Sequence, residues 1–231
     1  GKTTTSFMIW KMLNESGRKC GLLTTVGWSV DGEHLQKQVE HMTTERVGVL
    51  NERMRKVADA GAEFLVLEVT SHALAQYRTL GVPIEIAVFT NLTHEHLDYH
   101  GTFENYRKAK LRLFEKAKRG VVNADDPSAE YFARAVSNNS SFSGHAHARP
   151  SLRGASSLRS TPVVVEDSQK GELLEQQVVT YGIKQGDMRA IDIKLSATGV
   201  EYACGEMKIK TQIPGEFNVY DSLAAVCVGK K

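Results

Sequence analysis

The chain has 231 residues, with 29 Lys+Arg against 27 Asp+Glu and 41% apolar residues. That length suits one large or two small α/β domains with a buried core, and a net charge of +2 is too small to mark a nucleic-acid binder. No run approaches the roughly 18 apolar residues of a membrane helix, and three widely spaced cysteines, Cys20, Cys204 and Cys227, suit a reducing cytoplasm better than a disulfide scaffold.

The sequence opens on Gly1-Lys2-Thr3-Thr4-Thr5, the second half of the pattern G-x-x-x-x-G-K-[ST], so the chain is expected to be a fragment that begins inside a phosphate-binding loop. Apolar Ser6 to Leu13 predicts the helix behind such a loop. In that reading backbone amides at the helix start hold phosphate oxygens, Lys2 reaches the β- and γ-phosphates, and the Thr3 hydroxyl faces Mg²⁺. A bare Gly-Lys-Thr triplet equally fits an ordinary polar helix start.

Short apolar runs follow at Cys20–Val26, Phe64–Val69, Ile86–Thr90 and Gly120–Asn123, separated by helix-length polar or amphipathic sequence. This alternation predicts an α/β fold with a mostly parallel sheet covered by helices on both faces, binding groups standing just past the strand ends. Within it, Thr102 is an N-cap for a helix over Phe103–Lys118. The second half changes character. Ser137–Thr161, rich in Ser with Gly, Arg and His, reads as a flexible insertion. Beyond it, Val178–Ile183, Ala190–Ser196, Val200–Cys204 and Met207–Ile213 predict a small antiparallel addition in the C-terminal half, closed by a helix over Asn218–Val228.

Three places carry chemistry. Glu68 follows Phe64-Leu65-Val66-Leu67 at the end of a buried-looking strand, where a carboxylate needs a partner: a metal ion, or a hydroxyl such as Thr70 or Ser71. His94, Glu95, His96, Asp98 and His100 crowd the segment after Thr90. Two readings compete there: a zinc hydrolase site, although Tyr99 interrupts the H-x-H-x-D-H pattern, or a single metal-ligating histidine among turn-shaping neighbours. Lys110 falls on the helix stripe of Phe103, Tyr106, Leu113, Phe114 and Ala117, whereas Lys108, Arg112, Lys116 and Arg119 lie off it and need only solvent. An inward lysine either snorkels or loses solvation, and a neutral amine can add CO₂ to become an anionic carbamate ligand for Mg²⁺.

In order along the chain, GKTTT, MTTERVG (from Met42), LEVTSHALAQYR (from Leu67), FTNLTHEHLDYHGTFENYRKAKLRLF (from Phe89), VVNADDP (from Val121), TYGI (from Tyr181) and GEFNVYDSLAA (from Gly215) resemble the central ATP-binding domain of the Mur ligases. The resemblance covers nearly everything except the Ser-rich stretch. It implies Gly1, Lys2, Thr3, Thr4, Asn218 and Asp221 as ATP-binding residues. It implies two Mg²⁺ held by Thr3, Glu68, His96 and Lys110 as carbamate. Lys2, Lys110, His96 and Glu68 are then the catalytic set, and Thr43, Thr44, Thr70, Gln76 and Arg78 contact the substrate. Thr70 stands where the family usually has Ser, Glu95 where it has Asp, and Asp221 where it has Asn; Met42 and Glu45 flank the threonine pair where some members carry Asn and Pro.

The activity implied is ATP-dependent amide formation on UDP-N-acetylmuramoyl-L-Ala-D-Glu through an acyl phosphate, in peptidoglycan precursor synthesis. The enzyme is expected to be a cytoplasmic monomer with an amino acid as second substrate and no nucleic-acid or membrane partner. A UDP-binding domain before residues 1–231 and an amino-acid-binding domain after them are expected and absent, which predicts an inactive isolated fragment. The alternative is a nucleotide-binding module or regulatory ATPase without ligase chemistry.

Overall fold

The computed structural model describes residues 1–37, 43–93, 95–140 and 177–230. Helix α1 (Lys2–Glu15) starts at the first lysine, four residues earlier than its apolar run, because Thr5 and Ser6 are themselves buried. Behind it β1 (Cys20–Leu23) is wholly buried and runs parallel to β4 (Phe64–Leu67), with Leu23 opposite Leu67. The run from Cys20 to Val26 is not one strand. The Thr24 amide and hydroxyl both donate to the Gly27 carbonyl, at 2.9 and 2.8 Å, and this tight turn sends β2 (Gly27–Ser29) back antiparallel to β1. Strand β3 (Gln36–Lys37) then pairs with β2, so antiparallel structure occurs in the first half as well as the second.

Helix α2 (Val47–Asp59) crosses between β3 and β4, and the short α3 (Ser71–Ala75) follows β4. Strand β4 is less buried than its composition predicts: Phe64 is 37% exposed, because β4 is an edge of its sheet, whose order is β3-β2-β1-β4. A second sheet, all parallel, has the order β5-β6-β7-β8, from β5 (Ile84–Phe89), β6 (Ala117–Asn123), β7 (Val178–Gly182) and β8 (Met188–Arg189). Among the described residues no strand ladder joins β4 to β5.

Between β5 and β6 lie α4 (Leu97–His100) and α5 (Phe103–Phe114). Helix α5 ends four residues before the expected Lys118. Ala117 belongs to β6, where it pairs with Ile84 and is fully buried, so the last member of the predicted helical stripe is a strand residue. Helix α6 (Ala129–Ser140) follows β6 and takes in the first four residues of the expected insertion; residues 141–161 lie outside the described part.

Val178–Gly182 joins the parallel sheet rather than the antiparallel addition. That addition is three strands, β9 (Ile191–Ser196), β10 (Gly199–Cys204) and β11 (Met207–Thr211), with a register shift between Glu201 and Ala203. Gly199 has to be glycine: a Cβ there would stand 1.9 Å from the Thr211 carbonyl oxygen.

Helix α7 (Phe217–Gly229) closes the chain, with Leu223, Ala224 and Cys227 in a core shared with β7 and β10. A second core packs Phe89, Phe114 and Phe132 between the parallel sheet and helices α5 and α6. Cys20, Cys204 and Cys227 are free and buried. Among the described residues no helix is long and apolar enough to cross a membrane.

Candidate active site

The N-terminus of α1 and the C-terminal ends of β1 and β4 meet at one point. There the Thr3 hydroxyl donates to both oxygens of Glu68 at 3.0 Å. Glu68 is only 4% exposed. Its other partners are the Thr25 amide (3.2 Å) and hydroxyl (3.1 Å), not Thr70 or Ser71 as the hydroxyl alternative has it. A carboxylate this deep, held by neutral donors with no cation recorded on it among the described residues, suits a divalent ion bridging it to Thr3. Lys2 is exposed and Thr4 partly buried in the same first helical turn.

The Thr25 hydroxyl also lies 2.9 Å from the Thr43 hydroxyl, from which it can accept, and this brings the threonine pair to the same strand ends. Thr44 is buried, and its hydroxyl donates to the Glu68 carbonyl (3.0 Å) while accepting from the Thr70 amide (3.1 Å). Beside it the buried Glu45 forms an ion pair with Arg53 at 2.9 Å, and the Arg53 guanidinium lies 4.6 Å over the Trp28 ring. The segment after Thr44 is thereby tied to α2 and β2. Met42 lies outside the described residues.

Thr70 caps α3, its hydroxyl accepting from the Ala73 amide. One turn on, Gln76 accepts two bonds from Arg78, at 3.0 and 2.6 Å, and donates to the Tyr99 hydroxyl at 3.1 Å. Arg78 also donates to the Thr44 carbonyl at 2.8 Å. Thr43, Thr44, Thr70, Gln76 and Arg78, expected from two stretches of sequence, therefore share one hydrogen-bonded ridge next to Glu68.

The histidine-rich segment packs across this ridge. His96 sits in the left-handed region at φ 60° as N-cap of α4. Its ring lies 5.2 Å from that of His72 and 5.9 Å from Tyr106. His100 is 3.0 Å from the Ser71 hydroxyl. Burial first, then the neighbouring histidine charges, holds both His72 and His100 below the ordinary imidazole range. His94 lies outside the described residues. The zinc hydrolase reading needs His94 and so falls in part outside them; among those described, no three His, Cys, Asp or Glu side chains gather where they could hold a metal.

Lys110 stands on α5 with its Nζ 5.3 Å from the centre of the Tyr106 ring, which His96 also approaches. Loss of solvent, followed by repulsion from Lys2, lowers its pKa to about 8 against the pull of Asp126 and Glu95. Lys110 is half-buried, and of the two fates open to an inward lysine its lowered pKa favours desolvation. Lys2 and Lys110 are thus close enough to repel, and Thr3 and Glu68 touch. His96 and Lys110 both approach the Tyr106 ring, His96 at 5.9 Å between ring centres and the Lys110 Nζ at 5.3 Å.

At the far side of α1, Asp221 accepts from the Thr5 hydroxyl (3.0 Å) and lies 2.6 Å from the Gly1 nitrogen. Asn218 is fully buried; its amide donates to the Pro214 carbonyl at 2.6 Å, and its Oδ1 has no partner among the described residues.

Sequence reasoning missed Thr25, Tyr99 and Arg112. Thr25 stands two residues past the end of β1, a position where strand-end ligands are sought. For Arg112 the helical period gave the opposite sign. It does not face only solvent but donates to the Leu74 and Ala75 carbonyls at 3.1 and 3.2 Å. Arg119, the other arginine set aside with it, also has interactions within the fold.

The family described as the Mur ligase middle domain matches residues 1–163 and 156–229 of this chain. The chain is 35% identical over 239 residues to the UDP-N-acetylmuramoyl-L-alanyl-D-glutamate–2,6-diaminopimelate ligase of Geobacillus thermodenitrificans, and 33% over 231 residues to that of Clostridium perfringens. These alignments cover 97% and 98% of this chain but 40% of each relative, so the chain spans about two fifths of their length. A solved structure with that same ligase name superposes over the whole chain and 41% of its own, with a TM-score of 0.71 and 27% identity.

Proposed function

Because this chain belongs to the Mur ligase family through its middle domain, we propose that it is the nucleotide-handling core of a cytoplasmic, monomeric, ATP-dependent ligase. The ligase joins an amino acid to UDP-N-acetylmuramoyl-L-alanyl-D-glutamate in peptidoglycan precursor synthesis. Separate domains before and after residues 1–231 hold the uridine nucleotide and the amino acid. The observation that carries this reading is the Thr3–Glu68 contact at 3.0 Å, which puts a phosphate-loop end and a buried acid at one point beside the ridge of Thr44 and Arg78. The substrate named by the relatives fits that ridge, because an acidic peptide needs a bidentate cation and hydroxyl donors. A nucleotide-binding module without ligase chemistry has no use for such a ridge.

In the reaction, the substrate carboxylate takes the γ-phosphoryl group of ATP and releases ADP; the amine of the incoming amino acid then displaces phosphate from the acyl phosphate. Negative charge gathers in both steps, so electrostatic positioning is the main demand. Lys2 and the amides that open α1 receive the phosphates. Glu68 and Thr3 would hold Mg²⁺, with His96 and Lys110, as its carbamate, as the further ligands. Mg²⁺, when bound, neutralises the repulsion between carboxylate and phosphate. Arg78, kept in place by Gln76 and the Thr44 carbonyl, orients the acidic substrate. Lys110, beside the Tyr106 ring, loses enough solvation that a share of its amine is neutral and able to take up CO₂.

The test is to incubate the full-length ligase with the UDP-muramoyl dipeptide, ATP, Mg²⁺ and diaminopimelate or lysine in turn, following phosphate release and product mass. One UDP-tripeptide formed per phosphate supports the reading, and ATP turnover without it overturns it. The isolated 231 residues are expected to bind ATP weakly and to form no amide.

A further inference from the structure

Arg112 lies two residues beyond Lys110 on α5, yet it works on another element. Helix α3 ends at Ala75, and Arg112 donates to the carbonyls of its last two residues, Leu74 and Ala75, at 3.1 and 3.2 Å. Its guanidinium also lies 4.5 Å over the ring of Tyr77. Tyr77 has φ 55°, in the left-handed region that a bulky residue rarely adopts, and it is 54% exposed. An exposed tyrosine in that conformation needs something to hold it there. The Tyr77 amide bonds the Leu74 carbonyl, one of the two that Arg112 also binds, and the Arg78 amide returns to the Ala73 carbonyl. Gln76 and Arg78 on either side of Tyr77 point into the fork that meets Thr44 and Tyr99.

We propose that Arg112 is a positioning residue for the substrate. By capping α3 and stacking on Tyr77 it fixes the left-handed turn that aims Gln76 and Arg78, and it ties that turn to the helix carrying Lys110. This rests on the ligase reading above. A lysine at the same place reaches a carbonyl but offers no planar fork and no stacking face, so it replaces only part of the function.

The experiment uses the full-length ligase and compares wild type, Arg112→Ala, Arg112→Lys and Tyr77→Gly, the last removing the stacking face where glycine adopts the same φ without strain. Arg112→Ala is expected to raise KM for the UDP-muramoyl dipeptide by about tenfold, with kcat and KM for ATP within about twofold of wild type. Arg112→Lys recovers part of the loss, and Tyr77→Gly raises the same KM by a smaller factor. An unchanged dipeptide KM in Arg112→Ala, or a loss spread evenly over all three constants in step with a lowered Tm, overturns the proposal. If Arg112→Ala does not fold, Arg112→Lys and Tyr77→Gly decide by the same criterion. A wild-type enzyme that fails to ligate overturns the ligase reading and this inference together, whereas a ligating wild type with an indifferent Arg112 overturns this inference alone.

Discussion

The Thr3 hydroxyl reaches both oxygens of Glu68 at 3.0 Å across 65 residues of sequence, joining the start of α1 to the end of β4. The acid is buried and satisfied by threonines, so its charge rather than its shape is what a cation reads. Glu68→Gln keeps the size and one acceptor. It is expected to fold as wild type while weakening Mg²⁺-dependent nucleotide binding by at least about tenfold, the loss that removing even an outer-shell partner brings. Titration of a fluorescent ATP analogue with and without Mg²⁺ checks this; equal Mg²⁺ dependence in both proteins refutes it.

Lys110 gives a stability prediction with a definite sign. Its pKa in the fold is about 8, below the ordinary 10.5, so between those values the unfolded chain binds more protons than the folded one. Stability therefore rises with pH across that window, and below it the burial of the charged amine is borne in full. Lys110→Met is expected to raise Tm more at pH 7 than at pH 10. Thermal melts in amine-free buffer read the difference.

The same amine predicts a covalent signature. With ¹³C-bicarbonate, the full-length protein is expected to show a carbamate carbon resonance that strengthens as pH rises toward 8 and vanishes in Lys110→Arg. A resonance that survives the substitution assigns the carbamate elsewhere.

Glu45 and Arg53 pair at 2.9 Å with little access to solvent, and Trp28 covers the guanidinium. Removing the guanidinium takes a buried cation from Glu45 and the stack from Trp28, so Arg53→Ala is expected to cost about 3 kcal/mol of stability. Urea unfolding measures it. Arg53→Lys recovers little, because the stack on Trp28 needs a planar group.

Asp125 accepts from the amides of Ile183, Lys184 and Gln185 and from the Tyr220 hydroxyl, pinning the β7–β8 turn and α7 to the end of β6. Burial opposes its ionisation, but those donors outweigh it and hold the carboxyl below 3.8. Its contribution is present above that value and disappears as pH falls through the lower one. Asp125→Ala is expected to lose more stability at pH 7 than at pH 2.5, as denaturant melts at the two pH values will show.

The parallel sheet and the order of site segments were legible because buried strands write near-continuous apolar runs and because Gly1–Thr4, Glu68 and Lys110 each break a local pattern. What escaped was set by tertiary contact. The hairpin at Thr24–Gly27 hides in an unbroken apolar run, since the turn is made by one threonine bonding backbone. Ala117 fits the helical period equally well as a strand residue, and only its pairing with Ile84 decides. Arg112 sits on the polar side of its helix, and no periodicity reveals that another helix ends beside it.

Among the described residues no ladder joins β4, an edge of one four-stranded sheet, to β5, an edge of the other, which leaves a seam in the backbone pairing. Glu68 follows one bank of that seam, while Lys110 stands on a helix packed over the other. A ligand gripping both therefore serves as mortar: it tightens a joint that the backbone leaves unstitched. Hydrogen exchange along β4 and β5 is the natural gauge of how firmly each substrate cements it.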